Sequence, residues 1–153
     1  MTTPLLIRRA QKQDAAALVE FNRAMAQETE GKDLPLEIIT AGVDALFDRP
    51  EYGFYLVAEL EGEIVGGLMV TFEWSDWRNG LFWWIQSVYI RPAHRQRKIY
   101  AQMYTYVKQL AERQGNVCGF RLYVEKENER AQRVYERLGM QETHYKMYEE
   151  IKE

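Results

Sequence analysis

Residues 81–110 constrain the fold of this chain more than any other stretch. They open with a mostly apolar and aromatic run, residues 81–90, which is typical of a buried strand. Pro92 follows shortly afterwards, and it has no N–H group with which to continue a strand ladder. From Ile99 onward, apolar residues recur at helical spacing. The pattern predicts a strand, a turn and an amphipathic helix in direct succession.

The predicted turn carries several cationic side chains, among them Arg95, Arg97 and Lys98. A helix N-terminus presents free backbone N–H groups and a partial positive charge, so cations placed there favour a phosphate-bearing ligand. A solvated surface turn is the competing interpretation, because most charge runs are of that kind. The position of the run between a strand and a helix favours the anion site.

Length and composition predict one globular domain over residues 1–153. With 46% hydrophobic residues the chain can bury a core, and a net charge of -3 argues against a general nucleic-acid binder. The single cysteine, Cys118, favours a reducing cytosol, and His94 and His144 lie too far apart to suggest a metal site. No apolar run reaches the ~20 residues of a membrane helix, and no signal sequence is evident. We therefore expect a cytoplasmic protein without a metal, a membrane partner or a nucleic-acid partner.

The remaining segments predict an α/β protein of mixed α+β character. Strands are expected near residues 5–9, 54–58, 64–72, 120–124 and 145–151. Helices are expected to begin near Asp14, Pro35 and Asn128. Residues 73–80 between two strands are expected to form a loop. This order of elements predicts a mixed sheet with helices on both faces.

Two segments resemble signatures of the GNAT acyltransferase superfamily. Residues 95–100 correspond to its Arg/Gln-x-x-Gly-x-Gly/Ala motif, with Lys98 and Tyr100 at the two small-residue positions. Residues 128–140 resemble its Asn-x-x-Ala-x-x-x-Tyr-x-x-x-Gly-Phe element, with Met140 in the last place. The resemblance covers nearly the whole chain. It implies a GNAT-like fold with a central mixed, mostly antiparallel twisted sheet of about six to seven strands and about four helices on both faces.

The resemblance also implies an activity, the transfer of acetyl from acetyl-CoA to a primary amine of a small molecule or peptide. Transfer would occur by direct attack in a ternary complex, and Tyr135 matches the tyrosine that protonates the leaving thiolate. The residues implied to hold acetyl-CoA lie on the fourth strand, the turn, the third helix and the second motif: Val88, Tyr89, Ile90, Arg95, Gln96, Arg97, Lys98, Ile99, Tyr100, Ala101 and Asn128.

The general base is less well defined, because residues 82–86 of the predicted fourth strand contain no titratable group. Glu73, Asp76 and Glu28 are the candidates, and Glu73 ranks first because it lies where the third strand ends beside the fourth. The residues expected to contact the acceptor are acidic or aromatic: Glu28, Trp74, Asp76 and Trp84.

Several of these residues also fit a purely structural role. Tyr135 is also typical of a core aromatic, and Asn128 of a helix N-cap. The tryptophans are also typical of a core or of a subunit interface, which makes a homodimer an expectation. Because Lys98 and Tyr100 replace glycines, a GNAT-fold module that binds CoA or another anion without turnover is the alternative function. A nucleic-acid-binding domain using the basic turn is a third, disfavoured by the acidic total.

Overall fold

The computed structural model describes residues 4–152 and contains five strands and four helices. The elements are β1 Leu6–Arg9, α1 Ala15–Glu30, α2 Leu36–Phe47, β2 Gly53–Leu60, β3 Glu63–Ser75, β4 Gly80–Ile90, α3 Ile99–Gln114, β5 Val117–Arg121 and α4 Glu129–Arg137. Short 3-10 helices span Lys12–Asp14 and Pro92–His94. The chain divides after Leu122 into an N-terminal unit with all five strands and a C-terminal unit with α4. No helix within the described residues is long and apolar enough to cross a membrane.

The five strands form one sheet in the order β1-β2-β3-β4-β5. The first four are antiparallel neighbours, and β5 pairs with β4 in parallel. A parallel neighbour requires a crossover, and α3 supplies it between β4 and β5. The predicted mixed, mostly antiparallel sheet is therefore confirmed.

Helices cover both faces of this sheet. Tyr55 and Val57 of β2 pack against Phe21 of α1 and Val43 of α2. Successive strand residues point to opposite faces, so the fully buried Leu56 faces the other side, where α3 lies against β1, β2 and β5. The predicted α/β class with helices on both faces of the sheet is confirmed by this arrangement of α1, α2 and α3, and α4 brings the number of helices to the expected four.

The number of strands was overestimated, because residues 145–151 form no strand. Their apolar side chains are largely exposed, including Tyr145, Met147 and Ile151. Loose alternation of polar and apolar residues indicates a strand only where a neighbouring strand satisfies the backbone. The sheet in the described residues has five strands rather than six to seven.

The boundaries of β3 and β5 also differ from the sequence prediction. β3 extends to Ser75, so much of the expected loop is strand, and the turn occupies only residues 76–79. Cross-strand pairs such as Trp74 with Leu81 lengthen the ladder. The predicted strand at 120–124 is shifted toward the N-terminus. β5 begins at Val117, which pairs with Leu81 of β4, and ends at Arg121, so residues 122–124 lie outside it.

Candidate active site

The site is organised by the point at which β4 loses its β5 neighbour. The last parallel pair joins Trp84 to Arg121, the final residue of β5. β4 continues to Ile90 and stays paired with β3, where Gly66 is the partner of Ile90. In the sheet of the described residues, the β5 side of residues 85–90 therefore has no strand neighbour. Backbone groups on such an edge can pair with an extended ligand.

A bulge lies within this open segment. The β3–β4 register shifts between Gly67 and Met69, and Ser87 has a φ of 52°. A bulge bends a strand and redirects the side chains that follow it. Tyr89 is turned into the core, with its ring 5.3 Å from that of Phe21. Of the predicted acetyl-CoA contacts on β4, Tyr89 can therefore offer chiefly its backbone.

The turn between β4 and α3 combines left-handed backbone with exposed side chains. Gln96 has a φ of 66°, and Lys98, the N-cap residue of α3, has a φ of 60°. The side chains from Arg95 to Lys98 are exposed, whereas Ile99 is buried. The first turn of a helix leaves its N–H groups without helical partners, so the N–H groups of residues 99–101 face this turn. The arrangement suits an anion.

Lys98 retains the conformation that a glycine would adopt. A left-handed conformation costs a residue with a Cβ atom roughly 1–2 kcal/mol. The backbone at Lys98 is therefore of the kind that favours glycine, which is the residue that the GNAT motif has at this position. Tyr100, at the other small-residue position, is half-buried in α3, with its ring stacked 6.2 Å from that of Tyr104.

Arg95 bonds back to β4 and to α1. Its Nε donates to the carbonyl of Ile90 at 2.8 Å, and its Nη2 donates to Glu28 Oε2 at 2.9 Å. The hydroxyl of Tyr89 donates to the other oxygen of Glu28 at 3.3 Å, and the Arg95 guanidinium lies 5.2 Å from the Tyr89 ring centre. Three residues predicted separately, for the cofactor and for the acceptor, thus form one cluster.

Glu73 belongs to a second cluster, at the point where β4 and β5 separate. Its Oε1 accepts from Trp84 Nε1 at 2.9 Å and from Arg121 Nη1 at 2.7 Å. These contacts, chiefly the hydrogen bond from Trp84, hold the pKa of Glu73 below its usual value. Arg121 was not predicted as a site residue, because the strand was expected over residues 120–124 and only the observed register with β4 places Arg121 at the end of β5. A lowered proton affinity counts against Glu73 as a general base.

The match to known proteins extends across most of the chain. The model of the Acetyltransferase (GNAT) family matches residues 16–140. This chain belongs to the GNAT acetyltransferase family. A structure of a possible acetyltransferase from Clostridium difficile 630 is 43% identical over 96% of this chain and 97% of that chain, with a TM-score of 0.89. The predicted family, and with it the prediction of an acetyltransferase, is confirmed.

More distant GNAT-like structures share the fold. A predicted acetyltransferase from Clostridium acetobutylicum, solved with acetyl-CoA, is 19% identical over 96% of each chain, with a TM-score of 0.79. The aminoglycoside N-acetyltransferase AAC(6')-Iy in complex with CoA is 16% identical over 99% of this chain and 97% of that chain, with a TM-score of 0.75. No curated protein matches this sequence.

The second GNAT motif lies in the C-terminal unit, on and before α4. Asn128 caps the helix, since its side chain accepts from the N–H of Ala131 at 3.2 Å. Tyr135 is half-buried on α4, and burial raises the pKa of its hydroxyl. A phenol with a raised pKa keeps its proton at neutral pH, as a proton donor must.

Two tryptophans of the β3–β4 hairpin are exposed in this GNAT chain, whereas Trp83 of β4 is fully buried. Trp77, in the turn, is 89% exposed, and Trp74 is 58% exposed. Asp76 opens the same turn and is also exposed. Neither Trp74 nor Trp77 fills the core. Of the roles expected from the sequence, contact with a ligand and contact with a second subunit therefore remain for these two residues. Within residues 4–152, no group of three or more His, Cys, Asp or Glu side chains could hold a metal ion.

Proposed function

We propose that this GNAT enzyme transfers acetyl from acetyl-CoA to a primary amine by direct attack in a ternary complex. The observation that carries the proposal is the open β5 side of β4 from residue 85 to residue 90, which leads into the anion-suited turn and the N-terminus of α3. An extended edge followed by a helix N-terminus matches a ligand with an amide-containing arm and a pyrophosphate. Acetyl-CoA has both features.

The residues of this chain fit acetyl-CoA in three places. The backbone of Val88, Tyr89 and Ile90 would pair with the pantetheine arm. The N–H groups from Gln96 to Ala101 would hold the pyrophosphate, and the side chains of Arg95, Arg97 and Lys98 would add charge. Asn128 of the second motif would contact the arm. The bound cosubstrate supplies the acetyl thioester, and the chain supplies its position and the surrounding charge.

We propose a cationic small molecule as the acceptor, with a peptide amine as the second option. Glu28 offers a carboxylate to an alkyl ammonium, and Trp84 offers an aromatic ring, which attracts cations. Trp74 and Asp76 adjoin Leu81, eight residues along β4 from the Tyr89 that contacts Glu28, a span of roughly 26 Å. They would therefore contact only the far part of an extended acceptor such as a peptide. Structural neighbours that are aminoglycoside acetyltransferases support a small-molecule amine. The C-terminal motif supports Tyr135 as the donor to the leaving thiolate.

Proton removal from the acceptor is the step for which the assignment is most open. An alkyl ammonium has a pKa of roughly 10.4, so it must lose a proton before it attacks. Glu73 is the first candidate by position, but its bonds to Trp84 and Arg121 lower its proton affinity. Asp76 and Glu28 are the others.

A Glu73→Gln variant tests the first candidate. If Glu73 is the base, the variant loses roughly 10²-fold or more in kcat, together with the acidic limb of its pH–rate profile. If Glu73 only orients Trp84 and Arg121, we expect an unchanged pH profile and a raised KM, which would remove it as the base.

Calorimetric titration with acetyl-CoA is the experiment that tests the proposed function. We expect saturable binding by the wild-type protein, and release of CoA thiol on addition of at least one member of a panel of amines. Tyr135→Phe should keep the binding and lose most of the turnover. Absence of binding in both the wild type and Lys98→Gly would contradict the proposal. Binding without turnover for any amine would instead support a CoA-binding module.

Three further predictions accompany this proposal. We propose that residues 1–153 act as one acetyltransferase domain, which the match over residues 16–140 supports. A homodimer remains a prediction based on the exposed Trp74 and Trp77, and sedimentation tests it. Cytoplasmic location also remains a prediction.

A further inference from the structure

Two side chains that the proposed function assigns to different ligands are bonded to each other. Arg95, assigned to the phosphates of acetyl-CoA, donates to Glu28, assigned to the acceptor ammonium, at 2.9 Å. The pair is accessible, since the side chains of Arg95 and Glu28 are 42% and 40% exposed. Each ligand would therefore meet a group whose charge is already neutralised.

The surroundings hold the pair in one geometry. Arg95 Nε is anchored by the carbonyl of Ile90, at the end of the open β4 segment. Tyr89, buried below the pair, donates to the second oxygen of Glu28 at 3.3 Å. Burial and the charge of Glu28 raise the pKa of Tyr89, so its hydroxyl stays a donor at neutral pH. Glu28 lies in the last turn of α1, so the contact joins α1 to the turn before α3.

We infer that the Arg95–Glu28 ion pair couples the two substrates: acetyl-CoA competes with Glu28 for Arg95, and its binding frees the Glu28 carboxylate for the acceptor ammonium. This inference rests on the proposed function. Coupling between two ligands is reciprocal, so an ammonium that engages Glu28 must also strengthen the binding of acetyl-CoA. Glu28 thereby selects for a cationic acceptor and favours the ternary complex.

The size of the effect follows from the exposure of the pair. Exposed ion pairs are worth up to about 1 kcal/mol, so removing the competitor should tighten acetyl-CoA binding by about two- to fivefold. Removal of any negative charge near an anion site also tightens the binding of an anion. The experiment must therefore distinguish the loss of the Arg95–Glu28 pair from this general electrostatic effect.

A double-mutant cycle makes that separation. Acetyl-CoA affinity is measured by calorimetry for the wild type, Glu28→Gln, Arg95→Gln and the double variant, with Glu30→Gln as the matched control on the same helix. We expect Glu28→Gln to bind two- to fivefold more tightly than the wild type, and Glu30→Gln to bind as the wild type does. In the Arg95→Gln background, Glu28→Gln should have no effect. An equal gain in both backgrounds would reduce Glu28 to a general charge effect and overturn the inference.

A simple amine tests whether the Glu28 carboxylate, once freed from Arg95, binds an ammonium. Propylammonium chloride should tighten acetyl-CoA binding to the wild type relative to NaCl at the same ionic strength, and should not do so for Glu28→Gln. Equal affinities in the two salts would overturn the release of Glu28 to an ammonium. Failure of the proposed function looks different, because then no variant binds acetyl-CoA at all, and the inference falls with it.

Discussion

Two arginines of the N-terminal unit form ion pairs in contrasting surroundings. Arg8 of β1 bonds both oxygens of Asp14, at 2.8 and 3.1 Å, and Asp14 is only 6% exposed. Arg95 makes a single contact with Glu28, and the two side chains are 42% and 40% exposed. A desolvated, bidentate pair is costly to break, whereas an exposed one can exchange its partner for a ligand. The first pair is suited to hold the fold, and the second to respond to substrates.

The largest effect is expected when the buried pair is broken. Asp14→Asn removes one of the two carboxylates that pair with Arg8, the other being Glu59, and weakens the bond from the Gln11 N–H, which is 2.7 Å long. We expect a loss of about 2 kcal/mol in the free energy of unfolding, measured with urea. Asp48→Asn is the matched control, since its pair with Lys12 is exposed at both ends, and it should change stability by less than about 0.5 kcal/mol. Equal losses in the free energy of unfolding for Asp14→Asn and Asp48→Asn would show that the Arg8–Asp14 pair matters no more for stability than an exposed pair.

The pH dependence of stability is a second test of the Arg8–Asp14 pair. The hydrogen bond from Arg8 is the main cause that holds the pKa of Asp14 below its usual value. A lowered folded-state pKa contributes stability that is present above the unfolded value of about 3.9 and is lost as the pH falls through the folded value. The stability difference between wild type and Asp14→Asn should therefore shrink below about pH 4. A difference that stays constant from pH 7 to pH 3 would contradict this assignment.

A smaller effect is expected at the turn beside the exposed pair. Lys98→Gly relieves a left-handed conformation, while the added freedom of glycine in the unfolded chain offsets part of the gain. We expect a net stabilisation of about 0.5–1 kcal/mol in urea unfolding. Arg97→Gly, one residue away and without a positive φ, should not stabilise the protein. A stabilisation of the same size in both variants would mean that the strain is not specific to Lys98.

The smallest effect is expected at the exposed pair itself. Glu28→Gln should change the free energy of unfolding by no more than about 0.5 kcal/mol. The same variant is expected to change acetyl-CoA affinity, and this combination would sharpen the contrast with Asp14→Asn. A loss near 2 kcal/mol would place the Arg95–Glu28 pair in the same class as Arg8–Asp14.

Much of the site could be predicted because it is local in sequence. The strand, turn and helix over residues 81–110 follow from the period of the apolar residues and from Pro92. The position of Asn128 as a helix cap follows from its place before α4. The strand at 145–151 was predicted wrongly, because a strand depends on a neighbour that its own residues do not specify. The contacts of Arg121 and Glu28 could not be predicted from the sequence either. Strand register brings Arg121 to Glu73, and the packing of α1 brings Glu28 to Arg95.

The sequence by itself determined the class of the fold, the family and the location of the anion-suited turn, because periodicity and short motifs act over neighbouring residues. Only the tertiary structure decided that β5 ends at Arg121 and leaves the end of β4 open. It also decided that Glu73 bonds Trp84 and Arg121, and that Glu28 reaches Arg95. These outcomes depend on how distant segments pack, and packing sets the partner, the distance and the exposure that fix what a charged side chain can do.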